Sequence, residues 1–225
     1  MSSTRAVPVR AVLFDLDGTL VDSAPDLAGA ANDLRALHSL PPVAFEHLRP
    51  MVGTGARGMV GAAFGVQPED PRYEALRVNF LQLYEGRLLR LTRVFDAMVP
   101  VLAALERTDL PWGIVTNKAT RYAEPLVRGL GFAAAQPVLV CGDTTPHAKP
   151  HPAPLFEAAQ RLGVAAAECV YVGDDLRDVQ AGRAAGMRTL VAGWGYLGTG
   201  ATIEDWGADA VLNQPQALLN WLQLA

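Results

Sequence analysis

Two aspartates one residue apart, at the end of a four-residue apolar run, constrain this chain more than any other feature. Ala11-Val12-Leu13-Phe14 reads as a strand buried on both faces, and Asp15-Leu16-Asp17-Gly18-Thr19 follows it at once. At the carboxyl end of a parallel strand such a pair faces the crevice where open α/β sheets bind ligands. Two like charges at this spacing repel, so a cation or a proton has to neutralise one of them. Asp-x-Asp-Gly alone is also an ordinary turn sequence. What separates the two readings lies downstream.

Ser23 to Leu40 has the composition of a helix, with Pro25 tolerated near its start and Pro41-Pro42 closing it. Apolar residues three and four apart through Leu76, Phe80, Leu83-Tyr84 and Leu88 continue the helical character to about Arg93, and no convincing strand interrupts it. From Phe95 helices alternate with short apolar strands. Strands are expected at Trp112 to Val115, Pro137 to Val140, Val170 to Val172, Thr189 to Ala192 and Ala210 to Leu212. Helices are expected at Ala97 to Arg107, Tyr122 to Gly131, Pro152 to Leu162, Val179 to Ala185 and Pro215 to Leu224. This alternation predicts an α/β fold with a mostly parallel sheet covered on both faces. Residues 1–21 and 94–225 would form that core, and residues 22–93 an inserted all-α cap domain.

Composition excludes several classes. The 225 residues carry a formal net charge of -4, which gives no nucleic-acid or polyanion surface. No run approaches membrane-spanning length, and Met1 to Arg10 lacks the apolar centre of a signal peptide. Cys141 and Cys169 have no Cys-x-x-Cys spacing and read as small buried hydrophobes in a reducing compartment. A cytoplasmic protein, a monomer or weak dimer, is expected. Lysine usage says more. The chain has seventeen arginines and two lysines, Lys118 and Lys149, and both lysines fall beside the polar strand ends.

Four strand ends carry chemistry: Asp15 with Asp17, Thr116 with Asn117, Lys149 beyond the third strand, and Asp174 with Asp175 and Asp178. A parallel sheet brings such ends to one edge. Carboxylates for a hard cation, a hydroxyl donor and a fixed positive charge together suit a phosphoryl group bound with Mg²⁺.

The ordered set Asp-x-Asp-Gly-Thr-Leu, Thr-Asn, Lys-Pro and Gly-Asp-Asp-x-x-Asp resembles the haloacid-dehalogenase-like hydrolase superfamily over essentially the whole chain. A helical insert right after the first motif resembles the subclass containing phosphoglycolate phosphatases. Trp112 to Pro125, Gly173 to Thr189 and Trp206-Gly207-Ala208-Asp209 also resemble a bacterial branch acting on N-acetylmuramic acid 6-phosphate. The resemblance implies a Rossmann-like three-layer sandwich and hydrolysis of a small phosphorylated metabolite through an aspartyl phosphate. By that resemblance Asp15 is the nucleophile and Asp17 the acid and base. Asp15, the Asp17 carbonyl and Asp174 hold Mg²⁺. Thr116 and the Asn117 amide bind phosphoryl oxygens, Lys149 neutralises charge, and Asp178 orients Lys149 or a metal water. Asp175 stands where many relatives have serine, and its role stays open.

Two stretches, Gly53 to Gly58 and Gly193 to Gly198, match Gly-x-Gly-x-x-Gly without a strand-turn-helix setting for a dinucleotide. The first carries Gly55 and Arg57 where the subclass places its specificity loop, so Arg57 is a candidate for a substrate carboxylate and equally a surface arginine. His147 and His151 lack the further ligands of a metal site. Asp22, Asp26 and Asp33 read as structural acids near a helix start, mostly exposed. Among rivals within the superfamily, dehalogenation lacks the second acid, and phosphonate cleavage needs a cap lysine that residues 22–93 do not contain. A sugar-phosphate mutase would keep all four motifs. A non-catalytic binding module would have lost one of these groups, and none is missing.

Overall fold

The computed structural model describes residues 8–132, 135 and 137–224. The leader reading over residues 1–7 and the assignment of residue 225 to the core lie outside the described residues.

Six parallel strands form one sheet in the order β5-β4-β1-β6-β7-β8. They are β1 (Ala11–Phe14), β4 (Trp112–Val115), β5 (Val138–Val140), β6 (Cys169–Gly173), β7 (Arg188–Ala192) and β8 (Ala210–Leu212). Central β1 pairs Phe14 with Ile114 of β4 and with Val172 of β6, so three strand ends finish level. Alternate residues of β1 enter different cores. Ala11 and Leu13 pack with α7 (Ala153–Leu162) and α8 (Leu176–Ala184), while Val12 and Phe14 pack with α5 (Val99–Arg107), α6 (Thr120–Gly129) and α9 (Ala217–Leu222). A strand clothed on both faces has to read as an unbroken apolar run, which is why β1 was legible. The result is the three-layer α/β sandwich expected.

Helices α1 (Ala24–Leu37), α2 (Phe45–Leu48), α3 (Gly55–Phe64) and α4 (Tyr73–Glu85) lie between β1 and the remaining sheet strands in sequence. Alanines 24, 28, 30 and 31 are buried on α1, and small side chains let α3 and α4 approach it closely. Leaving and returning, the chain forms a ribbon that the sequence reading missed: β2 (Val21–Asp22) pairs antiparallel with β3 (Arg93–Val94). Two-residue strands are too short to display an alternation. The segment is therefore not wholly helical at its ends.

Other corrections have equally local causes. Helix α1 stops at Leu37 instead of Leu40 because Ser39 turns left-handed at φ 55°, before the prolines are reached. Helix α6 starts at Thr120 because Asp143, beyond β5, accepts hydrogen bonds from its backbone amide at 2.9 Å and its hydroxyl at 2.5 Å. Helix α8 begins three residues early, capped by Asp175 and Asp178 together. Asp26 is wholly buried instead of exposed. One carboxylate oxygen accepts from the amides of Leu91 and Thr92 and the hydroxyl of Thr92, each at 2.8 Å, and ties α1 to the returning chain. No described helix is long and apolar enough to cross a membrane.

Candidate active site

Asp15 follows β1, Thr116 follows β4 and Asp174 follows β6, so level strand ends bring these three to one edge. Lys149 comes from the loop between β5 and α7. Asn117 holds that loop in place: its side chain donates to the Lys149 carbonyl and accepts from the Lys149 amide, both at 2.9 Å.

The Lys149 side chain is almost fully buried. Its ammonium donates to the carbonyl of Val115 at 2.9 Å, to the Tyr171 hydroxyl at 2.7 Å and to Asp178 at 2.7 Å. An ammonium has three donors, and all three are engaged. Asp15 Oδ1 lies 2.9 Å from the same nitrogen, and this ion pair is its one polar contact among the described residues. Burial pushes Asp15 up from 3.8 to about 7, with Lys149 opposing and Asp178 adding to the shift. Burial and the charges of Asp15 and Asp178 likewise hold Asp174 well above the ordinary carboxylate range.

Asp15, Asp174 and Asp178 each offer a carboxylate oxygen within 4.8 Å of the others. An all-oxygen donor set and clustered buried carboxylates that resist ionisation together fit a hard divalent cation. Asp178 is the most occupied of the three, since Lys149 and Tyr171 donate to one of its oxygens and the Asp175 amide to the other. Asp174 is fixed by the Thr19 hydroxyl at 3.0 Å and the Tyr196 amide at 2.8 Å. Glycine is obligatory at two points around it. A side chain at Gly18 (φ 86°) or at Gly195 would collide with the Asp174 carboxylate. The second glycine-rich stretch of the sequence is thus a cradle for Asp174.

The side chain of Asp17 lies outside this cluster. Its two oxygens lie 3.0 and 2.9 Å from the ammonium of Lys118, and Ser23 donates its hydroxyl to one of them. Burial pulls Lys118 down and Asp17 more than offsets it, leaving the ammonium raised and positive. Lysine scarcity was the sequence signal for Lys118. Ser23, Tyr171 and Tyr196 gave none, because each sits in a helix start, a core strand or a glycine-rich turn.

A cavity of about 450 Å³ opens over these groups, walled on the far side by α3, α4 and the turn before α3. Gly55 lines it, whereas Arg57 is exposed and outside its lining. The cavity's arginines are Arg77 and Arg177. Arg177 pairs with Asp175 at 2.8 Å and reaches the Gly53 carbonyl, so Asp175 both caps α8 and steers an arm across the cleft. His147 and His151 are exposed loop residues.

A family model for haloacid dehalogenase-like hydrolases matches residues 9–186. The chain is 43% identical over 217 residues to N-acetylmuramic acid 6-phosphate phosphatase of Pseudomonas aeruginosa, covering 96% of each chain. It is 46% identical over 210 residues to a phosphoglycolate phosphatase of Xanthomonas campestris pv. campestris, covering 93% of this chain and 94% of that one. A solved structure of a predicted phosphoglycolate phosphatase from Haemophilus somnus 129pt superposes with a TM-score of 0.83 at 25% identity, covering 95% of this chain and 97% of the other.

Proposed function

The chain belongs to the haloacid dehalogenase-like hydrolase family, and from that premise we propose that it is a Mg²⁺-dependent phosphatase acting on a small, carboxylate-bearing phosphate monoester. The observation carrying this reading is the convergence of Asp15, Asp17, Thr116, Lys149 and Asp174 on one cavity. Residues 8–21 and 94–224 serve as the catalytic core, and residues 22–93 as a helical cap over the leaving group.

Asp15 attacks phosphorus, forming a carboxylate oxygen–phosphorus bond as the bond to the leaving oxygen breaks. Asp17 gives that oxygen a proton, then takes one from the water that hydrolyses the aspartyl phosphate. The Lys118 charge and the Ser23 hydroxyl hold the Asp17 carboxylate in position. Thr116 accepts from the Lys118 amide at 3.1 Å, which leaves its own hydroxyl proton for a phosphoryl oxygen. Lys149 supplies fixed positive charge beside the nucleophile. Asp15, Asp174 and the Asp17 carbonyl would hold Mg²⁺, with Asp178 behind them orienting Lys149. The cation supplies charge neutralisation that lets an anionic carboxylate approach an anionic phosphate.

EDTA is expected to abolish phosphate release, with restoration on adding Mg²⁺. A pH dependence goes with it. Because Asp15 holds its proton more tightly folded, at about 7 against 3.8, metal-free stability falls as pH rises between those values. Mg²⁺ reverses that cost, so its thermal shift should be larger at pH 8 than at pH 5.5. Equal shifts at both, read by scanning calorimetry, would remove the carboxylate cluster as the binding site.

Two substrates fit the relatives' activities, 2-phosphoglycolate and N-acetylmuramic acid 6-phosphate. Each joins a carboxylate to a phosphate monoester. The cavity has room for the larger of them: about 450 Å³ falls within the ~300–1,000 Å³ of pockets for drug-sized ligands. Measuring kcat/KM for both with Mg²⁺ decides it, and a hundredfold preference corresponds to about 2.7 kcal/mol of transition-state discrimination. Absence of phosphate release from either, and from p-nitrophenyl phosphate, would refute the phosphatase reading.

A further inference from the structure

The wall facing the aspartates carries polar groups that the chemistry above does not use. Tyr84 of α4 is 2% exposed and Tyr122 of α6 is 6% exposed, and both line the cavity with rings 5.8 Å apart. Among the described residues neither hydroxyl makes a hydrogen bond of good geometry, although Lys118 stands beside the Tyr84 phenol and Arg121 beside the Tyr122 phenol. A buried phenol left unpaired costs about 1–3 kcal/mol, so two on one cavity wall mark a place where a ligand supplies the partners.

A positive charge stands with them. Arg77 and Tyr84 are seven residues apart on α4, two turns along one face. Of the cavity's cations, Lys149 has all three donors engaged, Lys118 is paired with Asp17, and Arg177 is held by Asp175 and the Gly53 carbonyl. Arg77 binds Glu74 through Nε and Nη2 at 2.8 and 2.7 Å, leaving Nη1 without a partner among the described residues. Burial pushes the Tyr122 phenol up; the Arg121 charge acts most against that and the Arg77 charge less, and Arg77 and Tyr122 line the same cavity. Tyr84 lies at the other end, where the Lys118 ammonium sits 4.8 Å from its ring centroid, beside the acid that would protonate the leaving oxygen.

We propose that Arg77, Tyr84 and Tyr122 form a leaving-group subsite for a sugar-sized phosphate monoester, in which Arg77 and Tyr122 bind a carboxylate and Tyr84 a hydroxyl near the scissile bond. This rests on the phosphatase reading above. Arg77, not Arg57, is then the arginine that selects for an acid. Apolar walls from Phe80 and Leu81 suit the face of a pyranose ring.

The test uses N-acetylmuramic acid 6-phosphate against N-acetylglucosamine 6-phosphate, which differ only in the lactyl ether that carries the carboxylate. The wild-type enzyme should favour the acid at least tenfold in kcat/KM. Arg77→Gln and Tyr122→Phe should each cut that ratio fivefold or more, and Arg77→Lys should keep more of it than Arg77→Gln, because the charge remains. Unfolding temperatures identify any variant that fails to fold, and Tyr122→Phe, which removes one oxygen, serves as the conservative check. A ratio within twofold of wild type in both Arg77→Gln and Tyr122→Phe would overturn the subsite. So would a tenfold wild-type preference for 2-phosphoglycolate over either sugar. Failure of the wild type on p-nitrophenyl phosphate as well would instead strike the phosphatase reading beneath it.

Discussion

Asp15→Asn is expected to lower phosphate release by about 10⁴-fold or more, the scale on which removing a covalent nucleophile acts. The same variant should melt at a higher temperature than wild type when metal-free at pH 8. The two effects have one cause. Asp15 sits among Asp174 and Asp178, and burial holds it near 7 instead of 3.8 despite the Lys149 ammonium 2.9 Å away. Ionisation therefore costs the fold stability at pH 8, and a neutral amide of the same shape removes that cost. At pH 5, where the carboxyl already holds its proton in the folded state, the difference in melting temperature should shrink. Near-normal turnover would end the aspartyl-phosphate mechanism. An inactive variant that is less stable at pH 8 would contradict the electrostatic account while leaving the chemistry intact.

Asp17→Asn should behave in the opposite sense on stability. Asp17 is paired with Lys118, whose side chain is only 8% exposed, so neutralising it leaves a poorly hydrated ammonium without its counter-charge. The melting temperature should fall. Losing a general acid and base typically costs about 10²–10⁴ in rate. The loss should depend on the leaving group, because an alkoxide needs the proton at departure and p-nitrophenolate does not. With p-nitrophenyl phosphate the first step should survive and the second stall, which gives a burst of nitrophenolate equal to the enzyme followed by slow turnover. An equal loss on alkyl and nitrophenyl esters, with no burst, would remove Asp17 from proton transfer.

The sheet was legible because its interior leaves no choice of residue. Ala11–Phe14 and Trp112–Val115 are covered on both faces, so they read as apolar runs with sharp ends. Elements stabilised from a distance were not legible. Thr120 opens α6 because Asp143 reaches it from another loop, and β2 and β3 exist only as partners of each other. The aspartates, Thr116 and Lys149 stood out as polar residues where strands stop. Tyr171 did not, since a tyrosine in β6 looks like core until its hydroxyl is seen accepting from the Lys149 ammonium at 2.7 Å. Asp26 was misjudged for a related reason: an acid at a helix start looks solvated until the returning amides of Leu91 and Thr92 are in view.

The small ribbon of β2 and β3 bears on how such a chain acquires new habits. Asp22 and Arg93, where the polypeptide departs for its helices and comes back, face each other across an antiparallel pair. Opposed residues in such a pair are about 4.5–5.5 Å apart. Everything between them hangs from a gap that a tight turn could close, as a parenthesis hangs in a sentence. A lineage could exchange that parenthesis for a longer, shorter or differently lined one without shifting β1 against β4 and β6. Reactivity would be inherited through the strand ends, while taste in substrates would be replaced wholesale in a single insertion.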